Sequence, residues 1–113
     1  MDRSLDRAEW ASALQAFTGR NAGRWTVLEE DGEEIGAQEE GVGPLRGVAY
    51  DSRDERVEIM LGEQRSVEGH LTRTVEGPRR IDLLAGPAGR DTALRIEHDG
   101  GQTLLRFEGD TDT

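Results

Sequence analysis

Five side chains are best placed by type and spacing to do chemistry: His70, Thr72, Arg73, Arg79 and His98. Imidazole can carry a proton or bind a metal. Guanidinium can hold a phosphate or carboxylate through two parallel hydrogen bonds. A metal centre needs three or more ligands in fixed geometry. His70, His98 and either Glu97 or Asp99 would supply it only if two separate hairpins were neighbours. His98 reads more simply as a turn residue that tolerates unusual backbone angles. No metal and no cofactor is expected.

A nucleophile–His–acid set can be drawn from Ser66, Thr72 and the histidines. Nothing resembles a nucleophile elbow, and Ser66 falls in an ordinary loop, so no catalytic residue is assigned. Arg73 and Arg79, with Arg80, form the one local basic cluster and read first as surface ion-pairing residues. The run Glu29-Glu30-Asp31-Gly32-Glu33-Glu34 is the densest charge. It lacks the spacing of a calcium loop. Alternate strand residues also point to opposite faces, so it reads as a solvated hairpin tip. Glu39-Glu40 reads the same way. Gly41-x-Gly43 has no helix behind it to cradle a phosphate.

These residues need elements to hold them. The chain has 113 residues, with hydrophobic and charged types at 34% each, which fits one domain over 1–113 with an economical core. Its formal charge of −10 disfavours nucleic acid and anionic membranes as partners. It favours solubility and encounter with basic partners. All 14 basic residues are arginine. No cysteine is present, which excludes disulfides, thiolate catalysis and cysteine-bound zinc. No segment has the apolar length of a signal peptide or a membrane span, so a cytoplasmic protein is expected.

A helix is predicted over about 6–19. Asp6 and Glu9 have the spacing of a capping box, and Leu5 and Trp10 that of a hydrophobic staple. Trp10, Ala13, Leu14 and Phe17 build its apolar face. Gly19 or the Asn21-Ala22-Gly23 stretch ends it. From Arg24 the period becomes two. Strands are predicted over 24–30, 33–40, 45–51, 56–61, 70–76, 79–84, 92–97 and 102–108. The turn at Asp31-Gly32 would set Leu28 opposite Ile35 and Arg24 opposite Glu39, while stacking Glu29 on Glu34 and Glu30 on Glu33. Gly41–Pro44 reads as a turn, and 62–69 as the longest loop. A tight turn at Gly77-Pro78 would pair Glu76 with Arg79 and Arg73 with Asp82. Two registers compete in the last hairpin. The preferred Asp99-Gly100 turn pairs Leu94 with Leu105 and Ile96 with Thr103. The alternative Gly100-Gly101 turn sets Arg95 against Arg106. The tail 109–113 is expected to fray.

The short connections leave no room for crossover helices. The expected class is therefore α+β: an N-terminal amphipathic helix packed on a curved or barrel-like, mostly antiparallel meander of about eight short strands.

Several runs resemble an uncharacterised family of small bacterial proteins, known only as a domain of unknown function. They are Ile35–Glu40, Val57–Gly62, His70–Val75, Ala93–His98 and Gln102–Phe107. The resemblance implies a stand-alone bacterial protein. It carries no activity, substrate or site residue across.

Three functions compete. The leading one is a non-catalytic interaction or accessory protein, binding another protein or itself through a sheet edge or the strand face with His70, Thr72 and Thr74. The second is a small-ligand binder or enzyme using a barrel mouth near His70, Arg73, Arg79 and His98, which must then converge on a pocket. The third is an acidic decoy of a nucleic-acid-binding protein.

Overall fold

The computed structural model describes residues 2–30, 33–34, 42–62, 70–86 and 88–108. Its elements are β1 (Asp2–Ser4), a 3-10 turn (Arg7–Glu9), α1 (Trp10–Asn21), β2 (Trp25–Glu30), β3 (Glu33–Glu34), β4 (Val42–Asp51), β5 (Arg56–Gly62), β6 (His70–Glu76), β7 (Pro78–Ala85), β8 (Asp91–His98) and β9 (Gly101–Phe107). This is the α+β class expected.

The helix begins where its capping residues require. Glu9 Oε2 accepts the Asp6 N–H at 2.9 Å, and the reciprocal bond completes a capping box. Leu5 is buried beside it, and its carbonyl accepts Trp10 Nε1–H at 3.2 Å. Trp10, Leu14 and Phe17 are buried, with Ala13 packed against the same core. The helix runs to Asn21 and ends at Gly23, whose φ of 90° suits a residue without Cβ. The later of the two expected stops is the real one.

The helix is fixed to the sheet by polar contacts at both faces. Thr18 Oγ1 accepts Val48 N–H at 2.9 Å and donates to Val48 O at 3.1 Å, so helix and β4 exchange a pair of bonds. At its C-terminal end Arg20 Nε and Asn21 Nδ2 donate to Asp91 Oδ2 at 2.8 and 2.9 Å. Burial pushes the Asp91 carboxyl up, but the bonds from Arg20 and Asn21 outweigh it and leave its pKa below the ordinary value.

The strands form one antiparallel sheet in the order β1-β7-β8-β9-β2-β4-β5-β6, with β3 paired to β2. Among the described residues β6 and β1 end the order, so the sheet curls without closing. The inward rows supply a single core: Leu28, Leu45, Val48, Val57, Ile59, Leu61, Val75, Ile81, Leu83, Leu94, Ile96, Leu105 and Phe107, under Trp10, Leu14 and Phe17 of the helix. On the outer face Asp82, 1% exposed, accepts from Arg80 Nε at 3.1 Å and Arg95 Nη2 at 2.9 Å. Burial again raises its carboxyl, and the bonds from Arg95, Arg80 and Ser4 hold it below the usual aspartate range.

A group with a depressed folded pKa stabilises the fold above its unfolded pKa and loses that contribution as pH falls through the folded value. Urea midpoints are therefore expected to be flat from neutrality to about pH 5 and to fall below about pH 4. Asp82→Asn and Asp91→Asn should each flatten that acid limb. Parallel limbs in variant and parent would contradict the assignment.

Several registers agree with the alternation of the sequence. The last hairpin pairs Leu94 with Leu105, Ile96 with Thr103 and His98 with Gly101, the Asp99-Gly100 alignment. Glu29 faces Glu34 and Glu30 faces Glu33. Ile35 lies outside the described residues, as do most of the 62–69 loop and the tail, but Arg24 does not face Glu39: its carbonyl accepts the Leu45 N–H, and β4 takes that edge of β2 over Trp25–Val27.

Other expectations are corrected. Gly41–Pro44 is not a turn throughout: Val42, Gly43 and Pro44 are the first residues of β4 and pair with Val27, Thr26 and Trp25. Gly43 is there because β5 passes close by. An added Cβ would stand 2.1 Å from Gly62 O. A bulge between Leu45 and Gly47 shifts the alternation of β4, so Leu45 and Val48 both face inward.

β6 and β7 are not hairpin partners. β6 pairs with β5, and β7 pairs with β1 and β8. Gly77, at φ 60°, donates its N–H to Glu55 O and turns the chain from the end of the strand order to the other side of the sheet. Two charge pairs favour the local hairpin. The competing pairing of β7 with β8 sets Ile81 on Ile96 and Leu83 on Leu94, and apolar burial outweighs exposed ion pairs. β1, unforeseen because it has no apolar alternation, is a short exposed strand on the β7 edge.

Candidate functional site

The inward rows of three adjoining strands change from apolar to polar at the same end of the curled sheet. Leu28 gives way to Glu30 on β2, Ile96 to His98 on β8, and Leu105 to Thr103 on β9. The registers make this a single patch, because Glu30 pairs with Thr103, and Thr103 with Ile96. Arg73 enters from the other side. It follows the inward alternation of β6, two residues before buried Val75, and lies opposite Ile59 of β5.

Glu30 is the hub. Arg73 Nη2 donates to its Oε1 at 2.9 Å. His98 Nε2 lies 3.2 Å from its Oε2. Thr103 Oγ1, in a residue 1% exposed, stands 3.2 and 3.1 Å from the two carboxylate oxygens and 3.1 Å from His98 Nε2. The four side chains border a concavity of about 340 Å³, completed by Thr74, Val75, Glu76, Gly77, Asp99 and Gly100. Gly77 sits at its corner.

The sequence-derived candidates separate accordingly. Arg73 and His98 come together, although 25 positions separate them in sequence. Arg79 stays outside and exposed. It reaches Asp99 Oδ1 at 3.2 Å, so it touches the rim through a residue of the lining. Thr72 is exposed on β6, opposite Met60. His70 pairs with Gly62, and its side chain lies outside the described ones.

Glu30 and Thr103 were missed. The sequence places Glu30 in the solvated acidic tip, and that reading fails for the first two residues of the run. Glu29 is held by Arg106, and Glu30 by Arg73, His98 and Thr103. The missed signal is the break in each inward row. It becomes readable only once β2 is known to pair with β9, a contact between residues more than 70 apart.

The geometry limits the chemistry. In a nucleophile–His–acid relay the acid holds one ring nitrogen and the nucleophile meets the other. Here Glu30 and Thr103 both sit on Nε2, and the Thr103 hydroxyl is bound to the carboxylate. The cluster is built to hold its members still. Among the described residues no three His, Asp or Glu side chains form a group that could hold a metal ion. No described helix is long and apolar enough to cross a membrane. The described surface acids are interleaved with arginine, as with Asp51, Asp54 and Glu58 around Arg56, which gives the decoy reading no support.

A family model described as a family of unknown function, DUF5335, matches residues 1–113. No curated protein and no solved structure matches the chain.

Proposed function

The chain belongs to the DUF5335 family of unknown function, and on that premise we propose that it is a non-catalytic binding domain taking a small polar group into the concavity at the mouth of its curled sheet. The observation that carries this is the convergence of Arg73 and His98 on Glu30 beside open space. Their strands lie far apart in the sheet order. Concave sites with a few converging polar groups are where small ligands bind. The Glu30 bonds fix the walls in advance, so little ordering is left to oppose binding.

Amide NMR spectra recorded while small polar solutes are added test the proposal. Saturable shifts are expected at Glu30, Arg73, Gly77, His98 and Thr103, and Glu30→Ala should abolish them. Saturable shifts confined to another face, or shifts that Glu30→Ala leaves intact, would overturn it.

A second reading has its own observation. Among the described residues β6 ends the strand order and exposes Thr72, Thr74 and Glu76, an edge a partner strand would extend. Thr72→Pro, on the same edge but outside the lining of the concavity, would remove an edge N–H. Loss of a purified partner on that substitution, with shifts at the concavity unchanged, would favour this surface.

A further inference from the structure

The concavity also carries information about its ligand, given the reading that it is a binding site. Thr103 Oγ1 lies within hydrogen-bond distance of both Glu30 oxygens, so its single proton goes to the carboxylate. His98 Nε2 then faces two groups that can only accept: the carboxylate and the lone pairs of a committed hydroxyl. Nε2 must carry the ring proton, and Nδ1 of the neutral imidazole is left as an acceptor. Nδ1 looks toward Gly100. A Cβ added there would stand 3.6 Å from Nδ1 and 3.7 Å from Cε1, so the missing side chain leaves space beside that edge of the ring. Gly100 itself lines the concavity.

The charge around Nδ1 points the same way. Among the described residues, Glu30, Glu76 and Asp99 line the space against one guanidinium, that of Arg73, which Glu30 already holds. Arg79 approaches Asp99 from outside, but both are largely in solvent, where the pair is screened. An anion entering here would meet carboxylates and a nitrogen lone pair. A cation with N–H groups would meet an acceptor and a favourable field.

We infer that the ligand of this concavity is a small organic cation bearing N–H donors, an ammonium or guanidinium group, with His98 Nδ1 as its directional acceptor and Glu76 and Asp99 as its electrostatic rim.

The test titrates the full chain with methylguanidinium, methylammonium, tetramethylammonium and acetate at matched ionic strength, reading the amides of Gly77, His98, Gly100 and Thr103. Methylguanidinium or methylammonium should saturate these signals. Tetramethylammonium, equal in charge but without N–H, should bind about tenfold more weakly, the worth of one lost hydrogen bond. Acetate should give no saturable shift. Saturation by acetate alone would overturn the cationic ligand while leaving the concavity a binding site. Saturation by none of the four would overturn both. Equal binding of tetramethylammonium would remove the role of Nδ1. Gly100→Val, which covers Nδ1 at a position without positive φ, should abolish the methylguanidinium response while the other amide signals stay in place. A retained response in that variant would overturn the Nδ1 assignment. If Gly100→Val fails to fold, His98→Phe replaces it with the same expected loss.

Discussion

Trp10→Ala should lower unfolding stability by about 3–5 kcal/mol, the range for deleting a large buried aromatic. Trp10 is 2% exposed and does four things at once. It packs in the core and donates Nε1–H to Leu5 O at 3.2 Å. It meets Tyr50 edge-to-face with centroids 5.1 Å apart, and it lies 4.4 Å below the Arg7 guanidinium. Arg7 in turn donates to Pro78 O at 3.2 Å. The helix start is thereby tied to the residue after Gly77, the corner of the concavity. Loosening Trp10 should therefore act at a distance, raising amide exchange at Gly77 as well as lowering the urea midpoint. Trp10→Phe keeps a ring and should cost less than half as much. A midpoint for Trp10→Ala within experimental error of the parent would contradict the packing described.

Gly43→Ala is expected to be the most damaging of the one-carbon changes, at about 1–3 kcal/mol or more. The added Cβ would stand 2.1 Å from Gly62 O, a backbone atom that cannot rotate away. β4 and β5 would have to part where β4 also pairs with β2. Gly19, where a Cβ meets nothing within 4 Å, is the matched control. Gly19→Ala lies within the helix and should be neutral or stabilising by up to about 1 kcal/mol, since alanine is the better helix former. Equal midpoints for the two variants would show that Gly43 is not under steric constraint.

Local order was legible in the residues. The Asp6–Glu9 capping spacing and the Trp10, Leu14, Phe17 stripe placed the helix within about a turn. Choosing the turn that keeps Arg95 away from Arg106 gave the correct last hairpin. What failed was long-range pairing. The charge pairs around Gly77-Pro78 described a plausible hairpin, yet Ile81 and Leu83 bury more against β8 than exposed ion pairs can offset. Pro44 marks a turn in isolation but lies within β4, where Gly43 lets β5 come close.

The site was half legible for the same reason. Arg73 and His98 could be named from their chemistry. Glu30, which joins them, was hidden among other acids until β2 was placed beside β9.

Glu30 organises the mouth by fixing the His98 ring through Nε2 and leaving Nδ1 to the ligand. Long-range ¹H–¹⁵N spectra of the imidazole test this most directly. For the neutral ring they should show a protonated Nε2 and an unprotonated Nδ1. Glu30→Ala should release the ring to a mixture of the two tautomers. A proton resident on Nδ1 in the unaltered chain would contradict the bonding at Glu30 and the binding role built on it.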